Sequence, residues 1–428
     1  MSALSSLRKG WCPGALAPMR TGDGLLVRIR VSGGRLDLVR LEAIADCAAL
    51  FGNGIIEISS RANLQLRGVD AAGLPALQHR LDDLGLLDAD AVSESVRNII
   101  ASPLSDLDPG AIVDTTAIVA ALEARLGDDS SLHSLPPKFG FLIDGGGALP
   151  LGDVEADIRF AAFHSADGPR FAVTLAGADE VSASCGPREI PDVVAALAHA
   201  FLRLAGQGVD APRRMRALAE RHGAAALFAA AGLAHSSSLS PIRRHAALQD
   251  FLGAHRFGAA ACVGAAPSLG RMTADDLRLL AQEARRCAAI DIRLTPWRAF
   301  IVVGINSNHA DDFAATLARA GFVVDPGDPR LAIVACSGAP ACANAARAVQ
   351  AEALEFVPFV PPGLGIVLHV SGCEKGCAHG RAAPFTLVAR ESGYDLVLDG
   401  KAADEPTHRA LPMGEIIPLL ARFAGRPN

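Results

Sequence analysis

Gly34-Arg35-Leu36 and Gly270-Arg271-Met272 open the same succession of elements twice in one chain. Around the first run, residues 25–31 read Leu-Leu-Val-Arg-Ile-Arg-Val and are followed by Ser32-Gly33-Gly34, a strand and a turn. Residues 36–51 carry the helical spacing Leu36, Val39, Leu41, Ile44, Ala45, Ala48. Residues 55–58 and 63–69 read as strands, and residues 74–84 as a helix ending at Gly85. After the second run the pattern predicts a helix over 275–289, strands over 290–294 and 300–305, and a helix over 312–320 ending at Gly321. Arg35 to Arg271, Gly68 to Gly304 and Gly85 to Gly321 are each 236 residues apart. A shared order with a shared offset indicates a duplicated α/β unit and pseudo-two-fold halves. Different segments follow each copy. Residues 88–126, a Pro/Gly-punctuated stretch over 135–152 and helical 192–205 and 211–234 follow the first. A cysteine-rich region follows the second. The linker falls near 236–241.

With 428 residues, half of them hydrophobic and a fifth charged, the chain reads as globular and exceeds what one core usually fills. A net charge of −6 without a basic stripe excludes a nucleic-acid partner. The longest apolar stretch, around 223–234, is too short for a membrane span, so no membrane partner is expected. The N-terminus, with Lys9 before Trp11-Cys12-Pro13-Gly14, has no export-signal core. A cytoplasmic location follows, where nine cysteines serve as thiols or metal ligands rather than disulfides.

Cys336 and Cys342 are spaced C-x5-C, and Cys373 and Cys377 C-x3-C. Two close thiol pairs can hold a [4Fe–4S] cluster, and Gly338, Gly372 and Gly376 let backbone approach it. Structural zinc and inert buried thiols are the alternatives, although C-x5-C fits zinc poorly. Cys47 and Cys287 lie on helices at core spacing, and Cys12 lies in a Pro/Gly loop.

Alternation puts Arg28 and Arg30 on one strand face, and Arg61, Asn63, Gln65 and Arg67 on another. If these strands pair, one cationic patch results, suited to a polycarboxylate; a solvated sheet face is the alternative. The second copy has apolar Phe300, Ile301, Val302 and Val303 instead. The first half therefore reads as the ligand-gripping half and the second as the cluster-bearing half.

The quartet Cys336-Ser-Gly-Ala-Pro-Ala-Cys342 with Cys373-Glu-Lys-Gly-Cys377 resembles the signature of the sirohaem-dependent nitrite and sulfite reductases. Val96-Arg97-Asn98 and Leu135-Pro136-Pro137-Lys138-Phe139 resemble two further elements of that superfamily, the second placing a lysine at the active site. A second lysine expected two residues on is Gly140, and a glutamine expected after Arg61 is Ala62, which weakens six-electron reduction. Nearly the whole chain is instead similar to the precorrin-3B synthases of aerobic cobalamin synthesis. Cys12-Pro-Gly-Ala-Leu-Ala-Pro-Met19, Gly22-Asp-Gly-Leu-Leu-Val-Arg28 and Ser60-Arg-Ala-Asn-Leu-Gln-Leu-Arg-Gly68 carry that likeness.

The resemblance implies an α+β fold: duplicated ferredoxin-like units with pseudo-two-fold symmetry plus two α/β domains of the nitrite/sulfite reductase type. Residues 12–87 and 242–325 would be the ferredoxin-like halves. Residues 88–235 would be a first 4Fe-4S-type domain without cluster cysteines, and 326–428 a second that binds the cluster. It further implies an O2-dependent monooxygenase that hydroxylates precorrin-3A at C20 with γ-lactone closure. Arg28, Arg30, Arg61, Asn63, Gln65, Arg67, Arg97 and Lys138 would face the tetrapyrrole, and Cys336, Cys342, Cys373 and Cys377 would bind the cluster. A non-haem iron beside the cluster belongs to the same expectation, with His369 and His379 as candidate ligands; so does sirohaem, if the chain is a reductase. Gly145-Gly146-Gly147 reads as a turn rather than a nucleotide-binding loop, so electrons, formally from NADH, would come through a separate reductase or ferredoxin.

Overall fold

The computed structural model describes residues 12–424 except 207, 209, 238–245, 247, 258–259 and 362–364. The N-terminal residues read for an export signal, and most of the expected linker over 236–241, lie outside the described residues.

The fold is α+β, with four sheets among the described residues. In the first, Met19–Thr21, Gly24–Ile29, Leu64–Val69 and Ile55–Ile58 lie side by side, and the edge is Arg271–Thr273 from the other half. In the second, Gly253–Phe257, Ala260–Ala265, Phe300–Asn306 and Asp291–Leu294 are completed by Arg35–Asp37 from the first half. The two landmark runs thus exchange strands: Arg271 opposes Glu57, and Arg35 opposes Arg293. Helices Leu38–Phe51 and Ala274–Arg286 pack on each other, and both halves share one apolar core that includes Val27, Ile29, Leu64, Leu66, Leu277 and Val302. The expected helix over 36–51 begins later, at Leu38. Arg35–Asp37 is a strand, and the Asp37 carboxylate caps the helix by accepting from the Arg40 amide at 2.8 Å. The helical stretch expected over 211–234 is two helices, Met215–His222 and Ala224–Ala230, broken at Gly223 with its φ of 77°.

The other two sheets repeat one topology. Ile99–Ala101, Phe141–Asp144 and Ile158–Ser165 run parallel, then Gly168–Leu175 and Ala178–Cys185 run antiparallel. Ile333–Ala335, Leu368–Ser371 and Ala383–Arg390 run parallel, then Gly393–Gly400 and His408–Leu411 run antiparallel. Ser102 therefore stands where Cys336 stands. Each amide donates to the neighbouring strand, Ser102 to Ile143 O at 3.1 Å and Cys336 to Val370 O at 3.2 Å. Gly145-Gly146-Gly147 occupies the loop that carries Cys373 and Cys377 in the second copy. Gly146 there makes an isolated bridge to Ala111, and Gly146 and Gly147 have positive φ.

Candidate functional site

Two parallel strands deliver the cysteines. Ile333–Ala335 and Leu368–Ser371 are neighbours in parallel register, so the loops after them leave at the same edge. Cys336 and Cys342 lie on the first loop, Cys373 and Cys377 on the second. The Gly372 amide donates to Cys336 Sγ at 3.1 Å, and a Cβ at Gly372 would lie 3.3 Å from that sulfur. Burial raises the Cys336 thiol, the Gly372 and Gly338 amides oppose this, and nearby Cys342 and Cys377 raise it further. Among the described residues, no three His, Cys, Asp or Glu side chains converge tightly enough to hold a single metal ion. His369 and His379, the candidate ligands for a non-haem iron, meet edge to face with ring centroids 5.8 Å apart. Four thiols on two adjoining loops, with an amide aimed at one sulfur, are the donor set that an iron–sulfur cluster takes.

The first half supplies the facing wall. Gly24–Ile29 pairs with Leu64–Val69 so that Arg28 stands directly across from Gln65. Arg28 Nε and Nη2 donate to Gln65 Oε1 at 3.1 and 2.6 Å, and Nη1 donates to Cys12 Sγ at 3.2 Å. Arg61 Nη1 donates to Asn98 Oδ1 at 2.9 Å and Nη2 to the Lys138 carbonyl at 2.9 Å. Burial pulls the Arg61 guanidinium down to about 10. Arg28, Arg61, Gln65, Lys138 and Cys12 line one cavity of about 350 Å³ together with Cys336 and Cys377. An adjoining cavity of about 620 Å³ shares Leu269, Gly270, Arg298 and Ala335 with it. Burial pushes the Cys12 thiol up, but the charges of Arg28, Arg61, Arg30 and Lys138 outweigh it and leave the thiol below its ordinary value.

The other four expected ligand residues are turned elsewhere. Arg30 is 3% exposed and donates to Asn98. Asn63 Oδ1 accepts from the Val31 amide at 2.9 Å. Arg67 is held by Asp23 at 3.0 Å, by Glu57 at 3.4 Å and by the Ala341 carbonyl at 2.8 Å. Arg97 is held by Asp88 at 2.7 Å and Glu123 at 3.0 Å. None of these four lines either cavity, and internal carboxylates, amides and carbonyls hold them.

Three contributors escaped the sequence reading. Glu57 joins both halves to the cysteine loop, accepting from Arg271, Arg67, Gln65 and Ser337. Burial raises its carboxyl, but Arg67 and Arg271 more than offset this and hold it below the usual range. Glu94 accepts from the Ala15 and Leu16 amides and so fixes the loop that carries Cys12. Arg298 lines both cavities. Glu57 and Glu94 carry no local motif; the equivalence of Arg298 to Ala62 at the offset of 236 was the available signal for the third.

The nitrite/sulfite reductase ferredoxin-like half domain matches residues 17–84 and 258–320, and the nitrite and sulphite reductase 4Fe-4S domain matches 93–239. The latter segment contains one cysteine, Cys185, so the candidate cluster thiols lie outside it. A precorrin-3B synthase of Sinorhizobium sp is 34% identical over 94% of this chain and 86% of that protein. A ferredoxin–nitrite reductase of Synechococcus elongatus is 26% identical over 89% of this chain and 81% of that protein. A sulfite reductase [ferredoxin] of Mycobacterium tuberculosis is 25% identical over 82% of this chain and 67% of that protein. The solved structure of the Mycobacterium tuberculosis NirA protein superposes with a TM-score of 0.75 at 22% identity, over 93% of this chain and 80% of that one, which shows the fold. The chain belongs to the nitrite and sulfite reductase superfamily and, within it, to the family of the precorrin-3B synthases. The relatives named above are enzymes, and no helix among the described residues is long and apolar enough to cross a membrane.

Proposed function

We propose that this chain is an O2-dependent monooxygenase that converts precorrin-3A to precorrin-3B by hydroxylation at C20 with closure of a γ-lactone from the ring-A acetate. One observation carries the reading: Arg28, Arg61 and Lys138 line the same cavity as Cys336 and Cys377. A tetrapyrrole with several carboxylates matches those cations. The adjoining cavity gives room for a macrocycle larger than the first cavity alone. Cys336, Cys342, Cys373 and Cys377 would hold a [4Fe–4S] cluster, which supplies single electrons when bound. Arg28 and Arg61 grip ligand carboxylates, and Gln65 holds the Arg28 guanidinium in place. Glu94 fixes the loop that carries Cys12 by accepting from the Ala15 and Leu16 amides.

The overall reaction balances with one atom of O2 entering the product and the other leaving as water. The two electrons come from an external reductase or ferredoxin, formally from NADH. The thiol set suits the reducing cytoplasm.

Sirohaem-dependent nitrite or sulfite reduction is the second reading, favoured by Cys377 on the cavity wall. Against it, Gly140 places no cation beside Lys138, and its amide is spent on the Asp157 carboxylate at 2.9 Å. Anaerobic purification, an optical spectrum and extraction for tetrapyrrole separate the two. Iron–sulfur absorption without sirohaem supports the synthase; stoichiometric sirohaem supports the reductase.

A further inference from the structure

Arg298 sits in the turn between Asp291–Leu294 and Phe300–Asn306 with a left-handed φ of 60°. Ala62, 236 residues earlier, sits in the matching turn between Ile55–Ile58 and Leu64–Val69 with a φ of 53°. Few side-chain-bearing residues adopt this conformation, so its presence in both copies shows that the turn is part of the duplicated unit. The two copies differ in what the turn presents: a methyl group in the first, a guanidinium in the second.

Space is made for that guanidinium. Gly270, with a φ of 76°, lies under Arg298, and a Cβ there would meet Arg298 Cβ and Cδ at 3.1 Å. Arg298 lines both cavities, with Leu269, Gly270 and Ala335. Among the described residues no hydrogen bond or ion pair engages it; only the charges of Glu57 and Cys336 act on it. Glu57 is itself neutralised by Arg67 and Arg271. Arg67, Arg271 and Arg293 each hold a carboxylate of the chain. A largely enclosed cation without such a partner is costly unless an incoming anion offsets it.

We propose that Arg298 is the carboxylate anchor that the second half contributes to the tetrapyrrole cavity, gripping one ligand carboxylate from the wall that the two cavities share. This rests on the tetrapyrrole reading of the cavity. The first half then supplies Arg28, Arg61 and Lys138, and the ligand is held from both halves. The row of cations lost from the second copy is replaced by one arginine at a turn.

Equilibrium dialysis of the full, cluster-loaded chain against uroporphyrin III, an octacarboxylate, tests this without oxygen. Arg298→Gln should weaken binding on the order of tenfold or more, the loss of one charge-assisted hydrogen bond. Arg298→Lys should recover part of it, and the melting temperature of both variants should match the parent. Arg28→Gln, run in parallel, tests the cavity itself. Weaker binding in Arg28→Gln with unchanged binding in Arg298→Gln overturns the anchor alone. A lowered melting temperature without recovery by lysine assigns Arg298 a structural role and also overturns it. Failure of the parent protein to bind uroporphyrin III overturns both the anchor and the tetrapyrrole reading.

Discussion

Glu57 and Arg271 lie directly opposite each other on strands from different halves, and the Glu57 carboxylate accepts from the Arg271 guanidinium at 2.5 Å. The pseudo-symmetric junction opposes Arg293 to Arg35, two like charges. Asp106, from the segment after the first half, resolves that conflict by binding Arg35 at 2.6 Å and Arg293 at 2.9 Å. The duplicated frame is thus locked by one direct ion pair and one bridged pair, and the first of these borders the cavity through Glu57.

Asp106→Asn should destabilise the fold by about 2 kcal/mol at pH 7, because buried Arg293 then keeps one carboxylate, Asp291, and the Pro103 carbonyl. Burial raises the Asp106 carboxyl, but Arg293 and Arg35 outweigh it and hold it below 3.8. A depressed folded-state value stabilises above the unfolded value and is lost as pH falls through the folded one. Denaturant melts should therefore show the deficit of the variant closing as pH drops below 3.8. A constant deficit would contradict the bridging role.

Reversing the charge at Arg61 should raise the KM for the tetrapyrrole at least about tenfold, since a bidentate cation becomes a repelling carboxylate. Steady-state kinetics of Arg61→Glu read this directly, and unchanged binding would remove Arg61 from the site.

Arg67→Met and Arg97→Met should behave differently from the cavity variants. Each strands carboxylates that the arginine now neutralises, Asp23 and Glu57 in one case and Asp88 and Glu123 in the other. The expected cost is about 3 kcal/mol in stability, with little change in KM. Thermal melts beside kinetics separate the two effects; a KM defect without a stability defect would return these residues to the ligand wall.

Serine at any one of Cys336, Cys342, Cys373 or Cys377 should abolish or strongly reduce iron and sulfide content. Serine at Cys185 or Cys262 should not, because burial pushes both thiols up to about 12 and both sit in the apolar core. Iron and acid-labile sulfide assays on anaerobically purified variants decide this. Retained iron in all four single variants would refute the cluster assignment.

Much of the frame was legible because it rests on local periodicity and one repeated offset. Alternation placed Arg28 and Gln65 on one face, and the strands do bring them together. The strand exchange was not legible: three-residue strands such as Arg35–Asp37 leave no periodic trace and merge into the helix that follows. Alternation also overfilled the ligand wall. It assigns a face but not a partner, and Asp23, which occupies Arg67, is brought in by the fold; Arg97, expected from the resemblance alone, is likewise taken by Asp88 and Glu123. The second half of the site was hidden for a related reason, since Arg298 belongs to a turn and not to a row of alternating residues.

The most direct measurement is a turnover of precorrin-3A by the cluster-loaded chain under ¹⁸O2 with a supplied reductant, read by mass spectrometry. The synthase reading requires one labelled oxygen atom in the tetrapyrrole product and none when O2 is withheld. Unaltered precorrin-3A, together with reduction of sulfite or nitrite by a sirohaem-containing preparation, would contradict it.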